Sequence, residues 1–215
     1  ASGAGVITNN QIITDVAALI DTAEQIKTGG ALSVTAADTS SVSADSQAVA
    51  VGASLAGSNG TSISVGASTA RNRIGNFVSA KIKNIGRLLT GGNNIDVTAT
   101  ESTDIILSNT EATVENSQLG SQDDKVSDVT LASSSTSTIK AEIGAVAASV
   151  AFGGSSGVGA ALGAAVARNL IGYDLDGSNV ESGAQAEMVN TSVQASGELS
   201  QSAIASQTVA AHRSC

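Results

Sequence analysis

The sequence predicts a β-dominated chain, a stacked-sheet or β-solenoid repeat module with one or two short helices. Three observations predict it: an internal duplication, a two-residue apolar alternation, and a composition of very small side chains. Residues 42–75 align without a gap on residues 139–172, an offset of 97, with 14 identities in 34 positions. The match closes in Ala70-Arg71-Asn72-Arg73-Ile74-Gly75 against Ala167-Arg168-Asn169-Leu170-Ile171-Gly172, which is not low-complexity sequence. A shorter pattern, polar-Val-polar-apolar, recurs around Val34, Val97, Val129 and Val193 at separations of 63, 32 and 64. These are close to multiples of one 32-residue unit, and periods of this length mark stacked, quasi-one-dimensional architecture.

Within the duplicated block, Val49, Val51, Ala53 and Leu55 alternate with Ala48, Ala50, Gly52 and Ser54. The alternation resumes after Gly57-Ser58-Asn59-Gly60 with Ile63, Val65, Ala67 and Thr69. Period two with β-branched residues reads as strand, and a four-residue glycine-bounded link permits a hairpin. The second copy repeats this with Val146, Val150 and Phe152, then Leu162 and Val166. One face of each run carries the larger groups, and the other is Ala, Gly and Ser, small enough to lie flat against another sheet. Two segments follow helical spacing instead: Val16, Leu19, Ile20, Ala23 and Ile26, and Val78, Ile82, Ile85 and Leu89. Each ends at a Thr-Gly-Gly, which suits a helix C-terminus. The expected organisation is an N-terminal segment over residues 1–30 with a short amphipathic helix, a first β repeat over 31–127 and a second over 128–215.

Composition sets the function classes. Ala (36), Ser (32), Gly (23) and Thr (19) make up 110 of 215 residues; aromatics number three, and Pro is absent. Ala contributes far less on burial than the roughly 1.5–3 kcal/mol of a large apolar side chain, so thin layers are expected rather than a thick core, and an enzyme is not. The net charge is −9, which argues against nucleic acid, whose binding needs a basic footprint. Ser46–Ala70 and Ile143–Ala167 carry no charge, but their Ala, Ser and Gly content is too weakly apolar for a spanning helix. Arg71, Arg73, Lys81, Lys83 and Arg87 cluster, and an acidic stretch containing Asp123, Asp124 and Asp128 follows. Such bipolar charge favours head-to-tail contact between copies.

Few residues suggest chemistry. Gly157-Val158-Gly159-Ala160-Ala161-Leu162-Gly163, with Asp174 beyond it, approaches a dinucleotide fingerprint but is one residue too long, and the first copy, Gly60-Thr61-Ser62-Ile63-Ser64-Val65-Gly66, keeps the alternation and loses the glycine loop. Asp174, Asp176 and Asn179 open like a calcium loop, although the closing position is Gln185 rather than Glu. A bound Ca²⁺ there is the one cofactor the sequence suggests; an Asp-Gly turn is the simpler reading. The single His212 leaves no constellation for a triad or a His-based metal site. Cys215, the lone cysteine, is a candidate for an intermolecular disulfide.

The succession of an alternating Ala/Val/Gly block, Gly-Ser-x-Gly, a second block closing in Ala-Arg-Asn-x-Ile-Gly, then Val78-Ser79-Ala80-Lys81-Ile82-Lys83-Asn84, Gly-Gly and Val-Thr-Ala resembles repeats of giant bacterial surface proteins. These are the leukotoxin-type filamentous adhesins and related giant β-strand-repeat proteins. The resemblance covers most of the chain from Leu32 onward and includes no catalytic residue. It implies a secreted, elongated repeat protein at the cell surface, acting as a filament or adhesin stalk segment. Its expected partners are copies of itself, neighbouring repeats, or a host or neighbouring cell surface. The alternative expectation is a Ca²⁺-assisted surface ligand-binding module.

Overall fold

The computed structural model describes residues 1–41, 45–103, 107–168 and 182–214. Every paired strand in it runs parallel to its neighbour. The chain makes four passes through three sheets. The first pass is β1 (Ser2–Ala23), β2 (Ile26–Lys27) and β3 (Leu32–Asp38). After β4 (Asp45–Ala56), the second pass is the later part of β5 (Asn59–Ile85), then β6 (Leu88–Leu89) and β7 (Ile95–Thr103). The third is β8 (Leu107–Glu115), β9 (Gln118–Leu119) and the start of β10 (Val129–Gly153); β11 (Ser156–Arg168) follows. The fourth is β12 (Gly183–Val189), β13 (Ser192–Val193) and β14 (Leu199–Ser214). The sheets stack in pass order: β1-β5-β8-β12, β2-β6-β9-β13 and β3-β7-β10-β14.

Residues alternate between core and solvent, so each inward position forms a column across the passes. Val34 stands opposite Val97, which stands opposite Leu131. Val78, Ala80 and Ile82 of β5 lie over Thr110, Ala112 and Val114 of β8, a step of 32 residues. The inner residues of the second and third passes, including Ile82, Leu88, Ile95, Val97, Val114, Leu119, Val129 and Leu131, are fully buried. The recurring valines fit this only partly: Val34 and Val97 are register partners, but Val129 pairs with Ile95, and Val193 lies in the middle sheet opposite Leu119.

The expected helices are corrected. Among the described residues there is no helix; Val16–Ile26 lies in β1 and β2, and Val78–Leu89 in β5 and β6. A spacing of four is also two steps of two, so Val16 and Ile20 share a strand face with Ala18, while Leu19 is exposed. The Gly-Gly pairs turn corners between the middle and third sheets. Gly91 and Gly92 take φ of +61° and +82°, a region costly for residues with a Cβ. Asn93 Nδ2 donates to the Thr90 carbonyl at 2.7 Å, and Thr90 Oγ1 donates to the Asn93 carbonyl at 2.6 Å, fixing the turn.

The duplicated block, with the N-terminal part of β1 paired along β5, leaves the three-sheet body as a two-layer extension, here called the fin. The 97-residue offset is its register: Val49 faces Val146 where β4 pairs with β10, and Gly66 faces Gly163 where β5 pairs with β11. The hairpin expectation is corrected too. β4 and β5 belong to different sheets and meet side chain to side chain, so the Gly57–Gly60 link is an arch between layers. Both strands direct their small residues inward. Ala48, Ala50, Ser62, Ser64 and Ser68 are buried, while Val49, Val51, Leu55, Ile63 and Val65 are exposed. Serine hydroxyls hold the layers together: Ser68 Oγ donates to the Gly144 carbonyl at 2.8 Å, Ser149 Oγ to the Ser62 carbonyl at 2.7 Å, and Ser64 Oγ to the Ala148 carbonyl.

Candidate assembly surfaces and the buried polar cluster

Of the charged residues singled out from the sequence, the basic ones lie on β5 or just after it and the acidic ones between β9 and β10. Lys81 and Lys83 project from β5 towards the next pass, where Lys81 Nζ meets Glu111 Oε2 at 2.5 Å and Lys83 Nζ meets Glu115 Oε2 at 3.1 Å. Lys81 Nζ also lies 5.6 Å from the Phe77 ring centroid. Part of the basic and acidic pairing is thus made within the chain, between neighbouring passes. Arg71 and Arg73 lie on β5 opposite Asn9 and Gln11 of β1; their side chains lie outside the described set. Arg87 and Asp123 are exposed. Asp124 closes a turn, its N–H donating to Ser121 Oγ at 3.0 Å, and Asp128 Oδ1 accepts the Glu198 N–H at 2.8 Å. Asp174, Asp176, Asn179 and Cys215 lie outside the described residues. The glycine-rich run from Gly157 to Gly163 is part of strand β11, paired residue for residue with β5, so it forms no phosphate-cradling loop. Among the described residues no group of three or more His, Cys, Asp or Glu could hold a metal ion, and no helix is long and apolar enough to cross a membrane.

Two features were missed from the sequence. The first is a column at the corner between the first and middle sheets, where Thr22, Asn84, Asn116 and Asn190 all take positive φ, between 47° and 55°. Asparagine tolerates this conformation better than most residues. The side chains form a ladder: Asn190 Nδ2 donates to Asn116 Oδ1 at 3.2 Å, Asn116 Nδ2 to Asn84 Oδ1 at 3.3 Å, and Asn84 Nδ2 to Asp21 Oδ1 at 2.9 Å. Thr22 Oγ1 also donates to Asp21 Oδ1, at 2.9 Å. These hydrogen bonds hold the Asp21 carboxyl below its usual range, that from Asn84 most. The ladder is polar: it ends on a carboxylate at the first pass and on an amide oxygen at the last. The available signal was the 32-residue spacing of Asn84 and Asn116.

The second is a polar cluster where the body core gives way to the fin. Glu101 is only 1% exposed, and its Oε2 accepts from Ser135 Oγ at 2.6 Å and from Ser108 Oγ. Its Oε1 has no hydrogen-bond partner, nor have the buried hydroxyls of Thr103 and Ser137. Burial raises the Glu101 pKa, against the two serine hydrogen bonds, and the charge of Asp38 on the neighbouring strand raises it further. Asp38 Oδ2 accepts from Asn76 Nδ2 and, at 3.2 Å, from Thr14 Oγ1. An open depression lined by Ser40, Ser102, Thr103 and Thr136 adjoins the cluster.

The ends of the body are the remaining candidate surface. The column Leu32, Ile95, Val129, Leu199 runs through all four passes. Ile95 and Val129 are 0% exposed, whereas Leu199 is 49% exposed. Around it Ala186, Met188, Val189 and Val193 line an open depression at the last pass. Among the described residues β12 and β14 each pair on one side only, as do β1 and β3 at the other end. No family model, curated protein or solved structure matches this chain.

Proposed function

We propose that the chain is a β-solenoid module of an extracellular bacterial filament or adhesin stalk, working by stacking and self-association rather than by catalysis. The observation that carries this reading is the column ending at Leu199. The same inward position is sealed in the middle passes and half-open at the last, with unpaired parallel strand edges around it. Such an edge templates a further strand, and a further pass would bury the apolar residues that line the depression. The asparagine ladder supports the same reading, because Asn190 Oδ1 is the acceptor that a donor on a further pass would meet. The extracellular placement rests on the sequence resemblance alone.

The test is Leu199→Glu, which sets a charge in the open column without entering the sealed one. Negative-stain imaging and sedimentation of the wild-type chain are expected to give rods whose length grows with concentration. The variant is expected to retain its β-sheet circular dichroism and to remain short. A wild-type chain that stays monomeric at high concentration, or a variant that elongates as the wild type does, overturns the proposal.

A further inference from the structure

The fin is layered in the reverse of an ordinary sandwich. Its interior is Ala, Gly and Ser, and its outer faces carry Val, Ile, Leu and Phe. On one face Val51 is 64% and Phe152 61% exposed; on the other Leu162 is 63% and Ile63 48% exposed. No charged residue occurs in 46–70 or 143–167, which supply most of both layers.

We infer that the two outer faces of the fin are docking surfaces for the fins of further copies of this chain. Four observations single out that occupant. Extent is the first: β4 has 12 residues and β11 has 13, which at about 3.3 Å per residue and about 4.8 Å between strands gives the β4–β10 pair and the β5–β11 pair about 400 Å² each, and β1 widens the second face along β5. A face-to-face contact then buries about 800 Å² or more, the size of a weak association, and each of the two faces makes its own. Relief is the second. Large residues stand beside large ones at Val49–Val146, Leu55–Phe152 and Val65–Leu162 and beside small ones at Val51–Ala148, Ala53–Val150 and Ile63–Ala160, so each face carries ridges and hollows into which a like face packs. Charge is the third, since an uncharged face gives a charged partner nothing to pair with.

The fourth is the edges, which argue against lipid. Among the described residues β4 pairs only with β10, and β11 only with β5; unpaired backbone of this kind is not tolerated in hydrocarbon. Covering the faces also supplies the apolar burial that an Ala/Gly/Ser interior lacks. Because the faces look sideways, perpendicular to the direction in which passes stack, this contact is independent of end-to-end growth. With both faces apolar it is open-ended rather than closed.

The experiment is sedimentation velocity on the full chain carrying Val51→Lys and Leu162→Lys together, both side chains being mostly exposed in the single copy. The wild type is expected to associate with rising concentration. With Leu199→Glu present in both chains so that end-to-end growth is blocked, the double lysine variant is expected to keep its circular dichroism and to associate at least tenfold more weakly than Leu199→Glu alone. Leu199→Glu, which blocks the open end, is expected to leave the sideways association in place. Association of the Leu199→Glu chain that the two lysines leave unchanged overturns the inference, as does a wild type that stays monomeric. So does a wild type that remains monomeric yet floats with phosphatidylcholine vesicles, which would assign the faces to lipid.

Discussion

Replacing Gly66 by Val tests whether side-chain size sets the spacing of the fin layers. A Cβ built on Gly66 lies 2.9 Å from the Val146 carbonyl oxygen and 3.6 Å from that of Ala48. The first distance is roughly 0.5 Å inside ordinary contact, the obstacle is backbone rather than a movable side chain, and the two valine methyls add to the clash. Overpacking of this kind costs about 1–3 kcal/mol. Separating the layers also stretches the hydrogen bonds from Ser64 and Ser68 to the opposite sheet, at about 0.5–1.5 kcal/mol each. The total is about 2–6 kcal/mol, and it falls on the fin because the body core shares none of these contacts. Hydrogen exchange is the assay: amides of β4 and β11 are expected to lose protection while those around Ile82, Val97 and Val114 keep theirs. Gly5→Val is the control, on a fin strand with no atom within 4 Å of its added Cβ. Unchanged protection in Gly66→Val, or equal losses in fin and body, refutes the reasoning.

Two further predictions concern the features the sequence concealed. Asn116→Ala removes two ladder hydrogen bonds and places a Cβ residue without side-chain compensation at positive φ, with an expected loss of about 2 kcal/mol in denaturant unfolding; Asn116→Gly relieves the backbone and is expected to lose about half that. A glycine variant no better than the alanine one counts against backbone strain as part of the cost. Glu101→Gln tests the buried carboxyl, whose pKa is raised above 4.5 in the folded chain. The folded state therefore holds this proton more tightly than the unfolded one, so the stability it contributes is full below 4.5 and is lost as pH rises through the folded value. The stability gap between Glu101→Gln and wild type is expected to widen in the variant's favour as pH is raised to neutrality, and a gap independent of pH overturns that assignment.

The strands were legible because period two is written plainly in Val49–Leu55 and Ile63–Thr69, and the 97-residue offset proved to be the register of β4 on β10 and of β5 on β11. Sheet assignment was less legible. An arch and a hairpin share the same link sequence, and only the pairing of β4 with β10 and of β5 with β11, rather than with each other, tells them apart. The helix reading failed where small alanines interrupt the larger apolar groups, so that Val78 and Ile82 looked like a helical pair while Ala80 carried the alternate position between them. Charge patterning showed the segregation of basic and acidic stretches but not that Lys81 and Lys83 meet theirs one pass away. Glu101 has no sequence signal at all, because one acid in an alternating Ser/Thr strand reads as surface until the sheet over it is known.

The register separations also rank the parts of the molecule by the chain entropy that pairing must overcome. The second and third passes meet across 32 residues in the first sheet, Gly75 opposite Leu107, whereas the fin strands meet across 97, Val49 opposite Val146. Threefold greater separation adds about 1 kcal/mol of loop-closure cost, and the fin has the less apolar interior to set against it. The central passes are therefore the anchorage on which the fin's alignment depends, and the body acts as a jig that brings two distant, nearly featureless segments into a single register.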